Sequence, residues 1–300
     1  EITNSIDHLD ILLTPIGEEQ SEIYNYVIDK LKINKKSAEE SKNGLQFAVV
    51  DAPLQILNFA YPHPDFNDGN TVIKHKSLYG KEGLERVMSF KNKNKNNKRK
   101  ENYKYEPEIL KQFGRIFSPN EIGKYSGKIK KIMDTIKNSK GIVLIYSQFI
   151  DGGCVPLALA LEEMGITRYH KNKSLFKNKP TEDVDAVTLE PYNETKENRK
   201  FFPAKYAMIT GDSFLSPNNK NELKACTDSE NINGEIVKVI IISKAGSEGL
   251  DFKNIRQVHI LEPWYNFMRI SQTIGRAIRN LSHCDLPYIE RNVQIFLYAT

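Results

Sequence analysis

Two arginines three residues apart, Arg276 and Arg279, follow a glutamine in the run QTIGRAIR at residues 272–279. On a helix, Gln272, Arg276 and Arg279 fall at i, i+4 and i+7 and share one face. Guanidinium groups stay charged at any physiological pH and fork onto phosphate oxygens, so two on one face suit a polyphosphate. Supplied across a cleft, such a group stabilises the charge that develops in phosphoryl transfer. A solvated basic helix face is the plainer alternative. Gly275 weighs against it, because glycine inside a helix costs about 1 kcal/mol relative to alanine and suggests a close approach.

Three predicted strand ends share a second pattern, in which an apolar run passes into small and polar residues. They are Ser147-Gln148-Phe149, Thr210-Gly211-Asp212, and the longer run SKAGSEGLD at 243–251. In the third, Gly246 and Gly249 let the backbone approach a ligand. Ser243 and Ser247 can donate hydroxyls to a phosphate, and the turn amides form an anion-friendly nest. Asp251 can accept from a ribose hydroxyl or orient an arginine. A plain turn with glycines for geometry is the alternative here.

The elements that must carry these groups alternate between helix and apolar strand after residue 120. Helices are expected at 126–136, 155–164 and 268–279, and strands at 142–146, 207–209, 237–242, 257–261 and 293–298. Near-continuous β-branched strands alternating with helices predict an α/β fold, a parallel sheet covered by helices on both faces. In such a sheet ligands sit beyond the carboxyl ends of the strands, where the polar clusters fall. Before residue 120 the pattern is helical and interrupted. Helices are expected at 19–32 and 54–58, the second stopped by Pro62 and Pro64. Residues 67–105, rich in Asn, Lys and Gly, read as a mostly exposed segment that includes the basic run KNKNKNNKRK at 91–100.

Over 300 residues, 39% hydrophobic and 27% charged content is ordinary for a globular chain and argues against disorder or a membrane protein. The net charge of +5 is compatible with a polyanionic partner without demanding one. The cysteines, Cys154, Cys226 and Cys284, are scattered and read as free thiols. His63, His259 and His283 lack metal-ligand spacing, so no metal site is expected. Trp264 and Tyr265 could stack on bases, and packing beside the strand at 257–261 is the plainer reading. No signal or transit peptide and no 18-residue apolar run is visible. The chain starts at Glu1 and ends at Thr300 after an apolar strand, which reads as a piece of a longer protein.

The order of these runs resembles the second RecA-like domain of superfamily 2 helicases and translocases. IVLIYSQF (142–149) looks like motif IV, SKAGSEGLDF (243–252) like motif V, and QTIGRAIR (272–279) like motif VI. ILEPWYN (260–266) is similar to the segment between V and VI in the Swi/Snf-like branch. LLTPIGEEQSEIY (12–24), LQILNFAYPHPDF (54–66) and YSGKIKKIMDTI (125–136) follow that branch upstream. GRAIRN with the run up to residue 300 looks closest to poxvirus and giant-virus transcription-associated ATPases. Two positions depart from the pattern. Many motifs VI begin His/Gln-Arg, but Gln272 precedes Thr273; Swi/Snf enzymes usually carry His before the last arginine, here Ile278.

The resemblance implies a RecA-like domain at 121–300, preceded by a mostly helical lead-in at 1–120. It implies Arg279 as arginine finger and Arg276 as a second γ-phosphate contact. Gln272, Gly249, Asp251 and Gly275 would form the rest of the nucleotide side. Ser147, Thr210, Ser243 and Lys244 would meet a nucleic-acid backbone. ATP and Mg²⁺ are the implied cofactors. DNA or RNA, a first RecA-like domain of the same protein, and RNA polymerase or transcription factors are the implied partners, with no membrane. The implied setting is intracellular, a virion or host cytoplasm. No GxxxxGK(S/T) loop or acidic Mg²⁺ site is present; Gly80-Lys81 lacks the preceding pattern. The chain alone is therefore expected to hydrolyse ATP negligibly and bind nucleic acid weakly. A non-catalytic scaffold of a transcription or virion complex is the rival from another class, and an unrelated phosphate-binding α/β enzyme a third.

Overall fold

A short strand that reads as no more than an apolar run opens the fold, β1 (Asp10–Leu13). The computed structural model describes residues 10–37, 45–68, 73–90, 102–169, 174–192, 200–213, 215–246, 249–263 and 267–300. The basic run at 91–100 and Ser247, Trp264 and Tyr265 lie outside them. Helices α1 (Glu18–Ser37) and α2 (Leu45–Asn58) follow and pack through Ile23, Val27, Ala52 and Ile56. Helix α2 begins nine residues before the expected start and passes through Pro53.

The stretch expected to be exposed carries structure as well. Helix α3 (Gly80–Val87) buries Leu84 and Val87, and a two-stranded ladder pairs β2 (Met88–Ser89) with β3 (Lys104–Tyr105). Its polar composition misleads because the charges line one side: Lys81, Glu82 and Glu85 face water while Leu84 and Val87 join the main core. Helix α4 (Pro107–Phe113) closes the lead-in, and α5 (Ile122–Tyr125) and α6 (Gly127–Ile136) follow it. Ser126 caps α6, its hydroxyl accepting from Ile129 N at 3.0 Å.

The alternating half then builds β4 (Ile142–Ser147), one π turn, α7 (Val155–Glu163), β5 (Thr167–Arg168), β6 (Lys205–Ile209), α8 (Asn219–Cys226), β7 (Val239–Ser243), β8 (Ile255–Ile260), α9 (Phe267–Ala277) and β9 (Gln294–Ala299). Seven strands form one sheet in the order β1-β9-β8-β4-β7-β6-β5, and every pairing is parallel. β4 lies at its centre, all six residues buried. Alternation along β4 divides the core: Val143 and Ile145 pack under α6 and α7, whereas Ile142 and Leu144 pack against α8 and α9. Burying such a side chain contributes about 1.5–3 kcal/mol, so central β-branched strands dominate the stability.

Lead-in and sheet are continuous: Phe59 and Tyr61 share one apolar cluster with Val143 and Ile145, and Tyr61 Oη donates to Asp151 O at 2.7 Å. Two ion pairs fasten the flanks, Arg115 to Glu163 at 2.7 Å and Arg168 to Glu222 at 3.1 Å. Burial raises the Glu163 carboxyl despite Arg115, which is why its bond from Tyr105 Oη matters.

Candidate functional site

The carboxyl ends of β4, β6 and β7 stand side by side, Ser147 in register with Ser243. At each end a hydroxyl turns back onto the chain. Ser147 Oγ accepts from Phe149 N at 3.2 Å, Thr210 Oγ1 from Asp212 N at 3.3 Å, and Ser243 Oγ from Gly246 N at 3.2 Å. A hydroxyl that accepts an amide two or three residues on is the ordinary way serine and threonine start a turn. All three residues are buried. Thr210 Oγ1 also pairs with Ser216 Oγ at 2.9 Å, and Ser147 Oγ donates to Glu262 Oε1 at 2.8 Å. Lys244, next along the loop, is exposed.

The loop after β7 crosses close to β6. A Cβ on Gly246 would lie 2.1 Å from Ile209 O, so only glycine lets the two backbones pass. Gly249 takes φ +71°, the left-handed conformation that favours glycine, and turns the chain towards Asp251.

Helix α9 delivers the arginines against this loop. Ile270, Ile274 and Ala277 bury its inner face under the sheet, leaving Gln272 exposed and Arg276 half-buried. The helix ends at Ala277, two residues before the expected end, so Arg279 lies just beyond it. Its side chain folds back, Nε donating to Gly275 O at 3.3 Å, and so satisfies a last-turn carbonyl. The same guanidinium grips Asp251 with two bonds, Nη1 to Oδ2 and Nη2 to Oδ1, both 2.8 Å. Arg276 Nη1 donates to Leu250 O at 3.3 Å, and Phe252 N donates to Arg276 O at 3.1 Å. The two arginines thus meet adjoining residues, 250 and 251, and the loop and helix end form one unit. A Cβ on Gly275 would meet no atom within 4 Å among the described residues, so none of them outside the helix explains the glycine there.

A residue that sequence reasoning passed over sits behind the first strand end. Glu262 follows β8 and is buried, yet it is a carboxylate in an apolar run. It accepts from Ser147 Oγ, from Gln148 N, and from Asn58 Nδ2 at 3.2 Å. Burial pushes its carboxyl up to about 7, against these bonds and Lys128. Lys128 on α6 is pushed down to about 8 by the same burial, and its ammonium donates to Leu261 O at 3.0 Å. The glutamate inside ILEPW was the available signal: a charge in a strand end needs a partner.

Cys154 and Cys226 are buried and Cys284 is exposed. His259 is enclosed, stacked on Phe296 at 4.8 Å and bonded to Tyr298 Oη at 2.7 Å, and burial lowers its imidazole to about 3. Among the described residues no group of three His, Cys, Asp or Glu could hold a metal ion, and no helix is long and apolar enough to cross a membrane.

Comparisons with known proteins bear on the fold and on the family of part of the chain. Residues 181–281 match the helicase conserved C-terminal domain. The chain is 36% identical over 181 residues to the termination factor NPH-I homolog of African swine fever virus, which covers 58% of the chain and 26% of that protein. It is 33% identical over 179 residues to a protein of Acanthamoeba polyphaga mimivirus described as an ATP-dependent RNA helicase, covering 59% of the chain and 26% of that protein. The match thus spans about a quarter of these relatives' length. The crystal structure of the C-terminal part of the Fun30 ATPase domain superposes with a TM-score of 0.51 at 16% identity, covering 98% of this chain and 84% of that one. That likeness shows the RecA-like α/β fold. With the family match over 181–281 and the viral relatives, it follows that the chain carries a helicase conserved C-terminal domain.

Proposed function

We propose that this chain is the arginine-bearing half of an ATP-dependent nucleic-acid helicase or translocase that serves transcription in a large DNA virus. The observation that carries the reading is the unit of Arg276, Arg279 and the loop at 249–251. A bidentate carboxylate and a phosphate are interchangeable partners for a guanidinium. Arg279, already paired in that geometry with Asp251, can exchange one oxyanion for the other.

The fit to a nucleotide is that of half a site. Arg279 and Gln272 are exposed and Arg276 is half-buried at one helix end, so their polar groups can meet phosphates brought from outside the sheet. Bound ATP supplies the phosphoryl group. Arg276 and Arg279 would orient its γ-phosphate and offset developing charge, while Gly249 and Asp251 would set where the arginines point. Gly275, open on its outer side, leaves room for the incoming surface. Mg²⁺ belongs to this chemistry through the phosphates, and the described residues supply no ligand cluster for it.

Nucleic acid, DNA or RNA, would lie across the strand ends, with Lys244 and the turns headed by Ser147, Thr210 and Ser243 against its phosphates. The names of the relatives, a termination factor homolog and an early transcription factor subunit homolog, support a transcription setting with RNA polymerase or its factors as partners. An intracellular location, in the virion or host cytoplasm, belongs to the same reading.

The test is nucleic-acid-stimulated ATP hydrolysis by the intact protein with Arg279→Ala and Arg276→Ala. Loss of a transition-state arginine is expected to lower turnover by about 10³-fold or more, with little change in thermal stability. Unchanged stimulated turnover in Arg279→Ala would sink the proposal.

A further inference from the structure

Glu262 is a buried ionisable group that the nucleotide chemistry does not use, and its surroundings are built from three separate parts of the chain. Ser147 and Gln148 come from the end of β4, Asn58 from the end of α2, and Lys128 from α6. All three contacts to the carboxylate are donors: a hydroxyl, a backbone amide and a side-chain amide. Both carboxylate oxygens are engaged, Oε1 by the turn and Oε2 by the lead-in.

Two neighbouring amides are only half satisfied. Asn58 Oδ1 and Gln148 Nε2 are buried and have no hydrogen-bond partner among the described residues. Unpaired buried amide atoms cost stability, and both belong to residues that bond the Glu262 carboxylate. Two other bonds hold the end of α2: Ser126 Oγ donates to Asn58 O, and Phe59 N donates to Gln55 O at 2.9 Å within the helix itself.

We propose that Glu262 is a positioning residue for the strand-end turn at 147–149, its carboxylate fixing that turn and fastening it through Asn58 to helix α2. The lead-in and the candidate nucleic-acid face then move as one body. The functional part of this statement rests on the reading of that face given above; the positioning itself does not.

The node is also sensitive to protons. Oε2 faces the amide of Asn58, which donates, so a protonated Oε2 has no acceptor unless the Asn58 amide turns over and offers its unpaired Oδ1. Either way a charge-assisted bond becomes a neutral one or is lost. The groups that bear on this titration are Lys128 from α6, Tyr146 from β4 and the Cys154 thiol behind the turn, with Arg269 of α9 acting on Tyr146. Lys128 favours the ionised form, and burial opposes it more strongly.

The experiment is amide hydrogen exchange on the full chain at about pH 6 and about pH 8, on either side of the Glu262 titration near 7. Protection factors at Gln148 and Phe59 remove the intrinsic pH dependence of exchange. In the wild-type protein both are expected to fall together, about tenfold, from the higher to the lower pH, the weight of one charge-assisted bond made neutral. Glu262→Gln keeps the shape and the acceptor towards the turn, and should hold both sites at the low-pH value throughout. Asn58→Ala leaves Glu262 and its turn contacts in place, so Gln148 should still follow pH while Phe59 should not. A wild-type pH step retained in Glu262→Gln overturns the proposal. So does independent titration of Gln148 and Phe59 in the wild type. If Glu262→Gln does not fold, the wild-type and Asn58→Ala pair decides alone. Binding of a short duplex DNA and a short RNA, measured on the same samples, judges the functional reading separately: absence of binding at both pH values sinks that reading and leaves the exchange pattern to judge Glu262.

Discussion

Replacing Lys238 with methionine should stabilise the protein at neutral pH, and the gain should disappear in alkali. Lys238 precedes β7, is 0% exposed, and its ammonium has one polar contact among the described residues, Ser139 O at 3.1 Å. Burial pushes its ammonium down from 10.5 to about 8, with Glu235 and Asp185 opposing weakly. At about 1.4 kcal/mol per tenfold, keeping the proton on at pH 7 costs the folded state about 3 kcal/mol. Methionine keeps the unbranched stem and removes that cost, while losing the bond to Ser139 O, worth about 1 kcal/mol. The net expectation is about 2 kcal/mol of added stability at pH 7. The sign of the pH dependence comes from the depressed value. Between about 8 and 10.5 the unfolded lysine still holds the proton that the folded one has released, so wild-type stability from this group rises with pH. The methionine variant lacks this rise. Urea unfolding of both proteins at about pH 7 and about pH 10 reads the difference, in which every other titrating group cancels. A variant less stable than wild type at pH 7, or a gap that stays constant with pH, would refute the reasoning.

Two glycines separate space from strain. Gly246→Ala places a methyl 2.1 Å from a backbone oxygen and is expected to cost about 2 kcal/mol or more, read as a lowered melting temperature. Gly275→Ala meets nothing within 4 Å among the described residues and should stabilise α9 by about 0.5–1 kcal/mol; a loss would show that the helix needs glycine for its own geometry. If Gly275→Ala also weakens ATP turnover in the intact protein, the surface that approaches α9 there belongs to the catalytic state. Asp251→Asn breaks an ion pair whose side chains are 50% and 57% exposed, so stability should change by less than about 1 kcal/mol. On the proposed reading it frees Arg279 for phosphate and lowers the ATP concentration for half-maximal turnover by up to about fivefold. An unchanged ATP requirement would mean that Asp251 does not compete for Arg279.

Much of the fold was readable because its strongest signals are long and repetitive. The apolar run at 142–146 starts with β4 and falls one residue short of its end, while that at 237–242 begins two residues before β7 and stops one residue short of its end, since buried strands carry no polar face to mark their ends. β1 and β5 were not readable as strands: four and two residues are too few for periodicity to speak, and their pairing with β9 and β6 defines them. Helix α3 was hidden by composition, because Lys, Glu and Gly around Leu84 and Val87 resemble a loop until the faces are separated. In the candidate site the sequence supplied the residue types and their order. It could not supply the end of α9, where Arg279 leaves the helix and turns onto Asp251. Nor could it supply Glu262, whose partners Asn58 and Ser147 lie 204 and 115 residues away.

The placement of Ser147, Thr210 and Ser243 narrows what the carboxyl edge can offer a nucleic acid. Each hydroxyl is buried and already accepts an amide of its own turn. Taking one away to meet a phosphate would leave a buried donor or acceptor unpaired, at about 1–3 kcal/mol each. On the proposed reading the surface must hold and release a backbone repeatedly, and it would gain little from such an exchange. The hydroxyls do more by aiming their neighbours: the amides beyond each turn, and Lys244, which stands exposed after Ser243. Backbone amides carry no base preference, and a lysine meets a phosphate as a point charge. An edge of this kind would therefore track a strand by its phosphates and ignore its sequence. The same reading gives the carboxylate buried behind Ser147 a use. If the turn is what touches the strand, the group that fixes the turn governs the grip, and Glu262 reaches it from the one direction that also holds the lead-in.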